Sequence, residues 1–349
     1  MDEPHSDRPY DDLTPHAVLD ALADVGLHGD GRLLQLNSYE NRVFQVGLDD
    51  GRFVVAKFYR PGRWSDAQIV EEHAFALELA AAEVPAVAPQ VIEPQAAGVR
   101  CLGEPPTLAM HDAGTLRYAV WPRRAGRAPE LDDPDTLTWI GRFLGRWHVV
   151  GRRRRFEHRR AIDAQQLGHA PRRWLLKHDA ITPSERARWA AVSQRALDLV
   201  DAAFERAGPL ATLRLHGDCH PGNLLWTADG PHFVDLDDAG MGPAVQDFWM
   251  LLAGDDESAR RQLACLLEGY EQFMDFDRAE LALIEPLRTL RMLHHSAWLA
   301  QRWNDPAFPV AFPWFGGSAA SAYWAEQIEL LRWQVVAMGG DVEEATADR

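Results

Sequence analysis

The segment LRLHGDCHPGNLLW, residues 213–226, decides how the rest of this sequence is interpreted. Its two histidines, His216 and His220, lie four residues apart, a spacing that brings side chains together only on a helix. The glycines and the proline around them make a helix improbable, so a metal site is a weak interpretation. A nucleophile at Cys219 is also weak, because neither a third orienting residue nor an oxyanion loop is evident. We expect the histidines and the cysteine to be structural.

The aspartate and the asparagine of this segment have the spacing of a kinase catalytic loop. Asp218 is followed five positions later by Asn223, and a predicted β-hairpin then ends at Asp235 in VDLDD. Phosphoryl transfer needs positioning and charge neutralisation more than covalent chemistry by the protein. Magnesium prefers hard oxygen ligands, so we expect Asn223 and Asp235 to bind Mg²⁺. Asp218 then accepts the proton of the attacking hydroxyl, and Asp218 and Asp235 are the predicted catalytic residues.

A lysine on an apolar strand predicts the second half of an ATP site. Lys57 lies in FVVAKFY, where an unpaired charge is costly, and it fits the lysine that holds the α- and β-phosphates in VAIK-type motifs. We expect its partner to be Glu72 on the next helix, with Glu71 as the alternative. In place of a glycine-rich loop the chain has LNSYENRVFQV (36–46). A turn there would present backbone N–H groups and the Ser38 hydroxyl to phosphate.

Hydrophobic periodicity divides the chain into two lobes. Residues 1–121 are typical of a mostly antiparallel sheet with one inserted helix, after a flexible tail at 1–12, and residues 122–349 of a larger, mainly helical lobe. The predicted strands are 32–36, 42–47, 53–59, 106–110 and 116–121, with short β pieces at 213–216, 224–226 and 232–236. The predicted helices are 14–23, 65–82, 135–149, 184–206, 244–253, 256–274, 277–303 and 319–337. This is the outline of an α+β, two-lobed, protein-kinase-like fold.

Composition narrows the class of protein. The formal net charge of −16 and the isoelectric point near 5.3 argue against a nucleic-acid binder, which needs a basic surface. The three cysteines form no CxxC pair, which favours a reducing compartment. The acidic N-terminus is not a signal peptide, and no run of about 18 apolar residues predicts a membrane span. We expect a cytoplasmic enzyme in which the basic run GRRRRFEHRR (151–160) is a solvated helix end.

Together, these residues resemble those of the aminoglycoside phosphotransferase and choline kinase superfamily, in which the catalytic loop reads HGD-x-x-x-x-N. The resemblance is closer still to the bacterial stress response kinases, a group of Ser/Thr protein kinases, and it extends from Thr14 to about residue 335. The blocks that carry it are LNSYENRVFQV, FVVAKFYRPGRW, EEHAFALEL, LRLHGDCHPGNLLW, FVDLDDAGMGPAVQDFWMLL, LIEPLR and RWNDPAFP.

The resemblance implies an ATP- and Mg²⁺-dependent enzyme that phosphorylates protein Ser/Thr, autophosphorylates and acts in the stress response as a cytoplasmic monomer. It places the hinge that binds adenine at 119–121, with Val120 as the expected contact, and an ATP contact at Ser38. Asp247 resembles the buried aspartate that holds the catalytic loop of such enzymes.

Two other functions stay open at this stage. A kinase for a small hydroxyl compound, such as an amino alcohol, an antibiotic or a sugar, would share the whole site. Asp237, Asp238 and the acidic stretch LDDPD (131–135) would then bind a cationic acceptor. The third function is a nucleotide-binding regulator without turnover. The complete set of Lys57, Asp218, Asn223 and Asp235 disfavours it.

Overall fold

The N-terminal lobe is built on one antiparallel sheet. The structure is a computed structural model that describes residues 9–111 and 116–341. The sheet has the strand order β1-β2-β3-β6-β5-β4, and every pairing in it is antiparallel, as predicted. Its strands are β1 Gly29–Gln35, β2 Arg42–Leu48, β3 Phe53–Tyr59, β4 Val99–Leu102, β5 Leu108–His111 and β6 Arg117–Pro122. The short strand β4 was not predicted, because a single turn-flanked run of four residues carries little periodicity.

Two helices cover the two faces of this sheet, α1 Pro15–Ala23 and α2 Asp66–Ala81. Both helices were predicted, at 14–23 and 65–82, and Val18 and Leu22 of α1 are fully buried against the sheet. The helix α2 begins at a capping box, in which the Ser65 hydroxyl accepts from the Gln68 N–H and the Gln68 side chain accepts from the Ser65 N–H. This start agrees with the predicted helix at 65–82.

The C-terminal lobe is mainly helical, as predicted. Its helices are α3 Pro134–Gly151, α4 Ala170–Lys177, α5 Pro183–Ala207, α6 Gln246–Trp249, α7 Asp256–Tyr270, α8 Ile284–Gln301, α9 Ala307–Ala311 and α10 Ala320–Ala337. Its strands are β7 Leu213–Leu215, β8 Leu224–Thr227, β9 Gly230–Phe233 and β10 Gly240–Gly242, paired β7 with β10 and β8 with β9. The architecture confirms the predicted two-part, kinase-like α+β fold.

Three segments of the C-terminal lobe differ from the predicted helices. The segment predicted as one helix at 277–303 begins with a 3₁₀ helix, Arg278–Leu283, before α8 starts. The predicted helix at 244–253 is reduced to the single turn α6. The helix α4, which follows the π-helix Gln165–His169, was not predicted. In each case the chain bends where an element has to fit its neighbours, and tertiary packing overrides local propensity.

The helices α3 and α7 approach each other closely enough to require glycine at the contact. A Cβ on Gly141 of α3 would lie 2.0 Å from the Leu266 carbonyl oxygen, and one on Gly269 of α7 would lie 2.0 Å from the Thr138 carbonyl oxygen. This tight pair fixes the end of α3, which carries Trp147 and therefore one wall of the catalytic loop.

The N-terminal segment is described only in part. Residues 1–8 of the predicted tail lie outside the described residues, whereas the Tyr10 hydroxyl donates to the Glu40 carbonyl at 3.0 Å and to the Phe58 carbonyl at 3.3 Å. The chain is therefore attached to the sheet from Tyr10 onward. Within residues 9–111 and 116–341, no helix has the length and apolar character needed to span a bilayer.

Candidate active site

The catalytic loop follows β7, and one buried carboxylate binds the backbone at its start. Asp247, which is fully buried, accepts the backbone N–H of His216 at 2.8 Å on Oδ2 and that of Gly217 at 2.8 Å on Oδ1. Gly217 has φ +81°, and a Cβ there would lie 2.2 Å from the Asp238 carbonyl oxygen. The loop therefore needs glycine at this position and an acceptor beneath it, and Asp247 lies where the resemblance places it.

The histidine and the cysteine of the opening segment are structural, as expected. The His216 ring is fully buried 5.5 Å from the Trp147 ring, and its Nε2 lies 3.0 Å from the Val234 carbonyl oxygen. Cys219 is also fully buried, and burial raises the pKa of its thiol well above the usual range. In the part of the chain that the structure describes, no three His, Cys, Asp or Glu side chains are grouped so as to hold a metal ion.

Asp218 is positioned by groups from two directions. Its Oδ1 accepts from Arg291 Nη1 of α8 at 2.5 Å, and its Oδ2 lies 3.5 Å from His220 Nε2. The Asn223 Nδ2 donates to the Asp218 carbonyl oxygen at 2.9 Å and lies 3.5 Å from Oδ2. Burial alone would raise the pKa of Asp218, but His220 and Arg291 outweigh it and hold the pKa below its usual value. The side chain is therefore a carboxylate at neutral pH.

Asp235 and Lys57 meet across the two lobes. The Val234 N–H donates to the Asn223 carbonyl at 3.0 Å, which returns the β8–β9 hairpin to the catalytic loop. Asp235 follows in the left-handed region, with φ +60°. Its Oδ1 accepts from Lys57 Nζ at 2.7 Å, although the two residues are 178 positions apart. Four of the predicted site residues, Lys57, Asp218, Asn223 and Asp235, thus belong to one connected set of contacts.

The predicted partner of Lys57 is close but does not pair with it. Among the described residues, Lys57 forms ion pairs with Asp235 and, at 3.8 Å, with Asp237, and Glu72 is not within ion-pair distance of it. Burial alone would lower the pKa of Lys57, but these two carboxylates and Glu72 raise it above its ordinary range. Burial also raises the pKa of Glu72 to about 7. The ammonium points to Asp235 because two carboxylates there attract it more strongly than one.

The alternative partner, Glu71, holds a different segment. Its carboxylate accepts the backbone N–H groups of Glu157 at 2.5 Å, His158 at 2.9 Å and Arg159 at 2.8 Å. These residues belong to the basic run 151–160. Glu71 and Glu72 are neighbours on α2 and point in different directions, which explains why helical spacing alone did not separate their roles.

The prediction that the whole basic run is solvated is wrong at its end. Arg159 is 5% exposed, and its guanidinium donates to the carbonyls of Asp237 at 2.5 Å and Ala239 at 2.9 Å. Arg160 pairs with the Asp238 carboxylate at 2.9 Å. Both arginines thus bind the segment just after Asp235, where several carboxylates compensate their positive charge.

Asp237 and Asp238 are held by arginines, a role that sequence reasoning missed. Arg63 donates to Asp237 Oδ2 through Nη1 and to Asp238 Oδ1 at 2.9 Å through Nη2. Asn41 donates to Asp237 Oδ2 at 3.1 Å. Burial would raise the pKa of both carboxyls, but Arg63 and the other cations around them lower it. The available signal was Arg63 in FYRPGRW (58–64), but the local sequence pattern does not show which carboxylate an arginine pairs with.

The glycine-poor loop 36–46 is anchored to the C-terminal lobe. The Glu40 carboxylate accepts from Trp298 Nε1 and pairs at 2.5 Å with Arg302 Nε, at the end of α8. Ser38, two residues earlier, lies partly buried between β1 and β2. Ser38 is therefore on the loop that faces the site, and the loop's position depends on Glu40.

Val120 does not face the site. It pairs with Ala56 in the sheet, packs in the core on the α1 side, and its carbonyl accepts from the Gln90 N–H at 2.7 Å. Side chains alternate along a strand, so the next residue, Trp121, is on the Lys57 side, with its ring 5.2 Å from Lys57 Nζ. The expected nucleotide contact at Val120 is corrected accordingly, because its side chain and carbonyl are already engaged elsewhere.

The oxygens of Asn223 and Asp235 suit a hard cation. Asn223 uses its amide nitrogen as the donor to Asp218, so its side-chain oxygen is on the opposite side of the amide. Asp235 is 53% exposed at its side chain although its Oδ1 binds Lys57. One carboxylate and one amide oxygen, with water, match the ligands that Mg²⁺ takes.

Comparison with known proteins identifies the family. The model of the phosphotransferase enzyme family matches residues 32–284. The chain belongs to this family. Stress response kinase A of Salmonella choleraesuis (strain SC-B67) is 45% identical over 319 residues, which cover 91% of each chain. The Salmonella typhimurium protein named serine/threonine protein kinase RdoA matches with the same identity and coverage. Stress response kinase A of Escherichia coli (strain K12) is 44% identical over 318 residues, again covering 91% of each.

Two solved kinase structures confirm the fold. The amicoumacin kinase hAmiN, in complex with AMP-PNP, Ca²⁺ and Ami, superposes with a TM-score of 0.70 at 20% identity, covering 94% of this chain and 96% of that one. The microcompartment-associated aminopropanol kinase gives a TM-score of 0.68 at 19% identity, covering 94% and 99%. The predicted resemblance and the kinase-like fold are both confirmed.

Proposed function

We propose that this phosphotransferase is an ATP- and Mg²⁺-dependent Ser/Thr protein kinase that autophosphorylates and acts in a bacterial stress response. The ion pair between Lys57 and Asp235 carries the proposal, because it joins the two lobes directly beside the Asp218–Asn223 loop. The protein acceptor is supported by the names of relatives that are 45% identical over 91% of the chain. We propose a cytoplasmic monomer, and the free cysteines Cys101, Cys219 and Cys265 are consistent with a reducing compartment.

One oxygen of Asp218 is held less tightly than the other. Arg291 binds Oδ1 at 2.5 Å, whereas the contacts of Oδ2 with His220 and Asn223 are long, at 3.5 Å each. An acceptor hydroxyl can approach Oδ2 to about 2.7 Å, the usual O–H···O distance. In this proposal Asp218, ionised at neutral pH, orients the hydroxyl of a Ser or Thr and takes its proton as the phosphoryl group transfers.

Asn223 and Asp235 would hold Mg²⁺, which neutralises charge on the transferring phosphates. Lys57 supplies a fixed positive charge on the same side of the cleft, from a strand on which it is the only charged side chain. In this proposal the loop 36–46, which Asn41 connects to Asp237, presents Ser38 and backbone N–H groups to the phosphates. Positioning by these fixed groups is what phosphoryl transfer requires.

The alternative of a cationic small-molecule acceptor loses its main support. Asp237 and Asp238 were its candidate anions together with the stretch LDDPD (131–135), but Arg63 and Arg160 already pair with these two aspartates, and Asp237 is 5% exposed. The amicoumacin and aminopropanol kinases share the fold with this chain at about 20% identity, which does not transfer their acceptors.

The test is phosphoryl transfer by the purified protein with labelled ATP and Mg²⁺. We expect labelled Ser or Thr on the enzyme itself and on dephosphorylated casein. Asp218→Asn should abolish transfer and keep nucleotide affinity, and Asp235→Asn should also weaken binding of the Mg²⁺–nucleotide. Fast transfer to an amino alcohol, with no transfer to protein, would replace the proposal by a small-molecule kinase. Nucleotide binding without transfer to any acceptor would indicate a regulator.

A further inference from the structure

The residue that contacts the proposed catalytic base from outside the catalytic loop is Arg291. It lies in the middle of α8, and its Nη1 donates to Asp218 Oδ1 at 2.5 Å across 73 positions of sequence. The proposed transfer does not use this arginine, because the acceptor hydroxyl approaches the other oxygen, Oδ2. An arginine beside a catalytic carboxylate therefore has a function still to be assigned.

Two exposed side chains, Arg291 and His220, contact Asp218 and form its rim. The side chains of Arg291 and His220 are 45% and 38% exposed, whereas that of Asp218 is 18% exposed. The ring of His220 is fixed because its Nδ1 accepts the Gly222 N–H at 3.0 Å. Because Oδ1 and Oδ2 belong to one carboxylate, an acceptor hydroxyl at Oδ2 lies beside the oxygen that Arg291 binds, and residues next to that hydroxyl are within reach of the guanidinium.

The anionic groups near this rim are already neutralised. Asp238 is paired with Arg63 and Arg160, and Asp218 is paired with Arg291. On the same face of α8, one turn further, burial and the nearby Arg291 lower the pKa of His295 to about 4, so this ring is neutral. The guanidinium of Arg291 carries five N–H groups and uses one on Asp218. Its remaining N–H groups are the exposed cationic donors at the rim.

We propose that Arg291 recognises an acidic side chain next to the phosphorylated Ser or Thr of the acceptor. The planar guanidinium can bind a carboxylate through two parallel N–H groups while one arm stays on Asp218. Such a contact fixes the acceptor with its hydroxyl at Oδ2. This inference rests on the proposed protein kinase function and specifies its acceptor class, which is an acidic Ser/Thr segment.

The competing role for Arg291 is a contact with the transferring phosphate of ATP. The two roles predict different kinetics. A phosphate contact would serve every acceptor equally, whereas recognition of an acceptor carboxylate benefits acidic acceptors alone. The ratio of kcat/KM between matched acidic and neutral peptides therefore separates them, and it cancels any general loss caused by disturbing Asp218.

The experiment uses Ser-containing peptides that differ only by Glu or Gln, placed in turn at the two positions on each side of the serine. At the best position, we expect wild-type enzyme to prefer Glu about three- to fivefold, mainly through KM, as a charge-assisted contact at a partly exposed site provides. Arg291→Gln should reduce this ratio to about one. Arg291→Lys should restore part of it, because lysine keeps the charge and loses the fork.

Arg288→Gln is the matched control. Arg288 lies one turn away on α8, is similarly exposed and pairs with Glu285 instead of Asp218. It should leave both the ratio and the rate with the neutral peptide unchanged. Equal loss with both peptides in Arg291→Gln, or no preference in the wild type, would overturn the inference and leave the kinase proposal standing. Transfer to no peptide and no protein would refute both.

Discussion

Asp247→Asn tests whether the buried carboxylate builds the catalytic loop. Asp247 Oδ1 accepts the Gly217 N–H and Oδ2 accepts the His216 N–H, both at 2.8 Å, and Oδ2 also lies 3.2 Å from His148 Nε2. Asparagine has the same shape but one acceptor oxygen. Its NH₂ group must therefore face one of the two backbone N–H groups, and that donor is left buried and unpaired.

The expected cost follows from these contacts. The lost charge-assisted hydrogen bond is worth about 1.5–3 kcal/mol, and the unpaired buried donor costs about 1–3 kcal/mol more. We expect a total of about 3–5 kcal/mol, which lowers the apparent melting temperature by about 4–7 °C in a chain of this size. The loop would also shift by a fraction of an ångström at Asp218, and we expect kcat to fall about 100-fold.

Calorimetry and the transfer assay measure both effects in the same preparation. Asp201→Asn is the matched control, because Asp201 also contacts a histidine, His169, at 3.0 Å but is 43% exposed. That change should cost less than about 1 kcal/mol and leave kcat intact. If Asp247→Asn melts and turns over like the wild type, the loop does not depend on this carboxylate and the reasoning fails.

Three further changes test other parts of the structure. Burial raises the pKa of Glu280 to about 7, above its unfolded value of about 4.5, so folding takes up a proton and stability falls as pH rises between these values. Glu280→Gln should therefore increase the free energy of unfolding by about 2 kcal/mol at pH 8, which raises the melting temperature there. At pH 5 the melting temperature should not change. Asp305→Asn removes one of the two buried carboxylates that pair with Arg60, the other being that of Glu40, and should cost about 1–3 kcal/mol in thermal unfolding. Lys57→Met should lower kcat/KM in the transfer assay at least about 100-fold with an unchanged circular dichroism spectrum, because Asp235 loses its cation.

Contacts within one short segment could be predicted from the sequence. Asp218 and Asn223 share a loop, and a hairpin with a two-residue turn returns Asp235 to it, so spacing and turn chemistry were sufficient. Lys57 was identifiable because a charge on a buried strand requires a partner. In the sheet, the residues between turns fixed the strands within a few positions.

Contacts between distant helices and loops could not be predicted in this way. Arg291 meets Asp218 across 73 positions, and Trp298 meets Glu40 across 258. A charged side chain on a helix has the same local pattern whether it faces solvent or a carboxylate from another element. The error at Arg159 has this cause. The choice of Val120 as the adenine contact failed for a simpler reason. The contact was assigned to the range 119–121, and side chains alternate along a strand, so only some residues of that range face the site.

The anchored loop 36–46 changes how this cleft can open. In protein kinases a glycine-rich loop covers the phosphates with a mobile backbone. Here Glu40 ties the loop to α8 and Asn41 ties it to Asp237, so it is held to the C-terminal lobe at two points. Breaking one buried charged contact costs about 3–5 kcal/mol, which leaves the freed loop populated at well below 1%. Because Asp237 also holds Arg63 from the N-terminal lobe, the loop, that lobe and the segment after Asp235 move together. We therefore expect nucleotide entry to require that these contacts break jointly, rather than the independent motion of a flap.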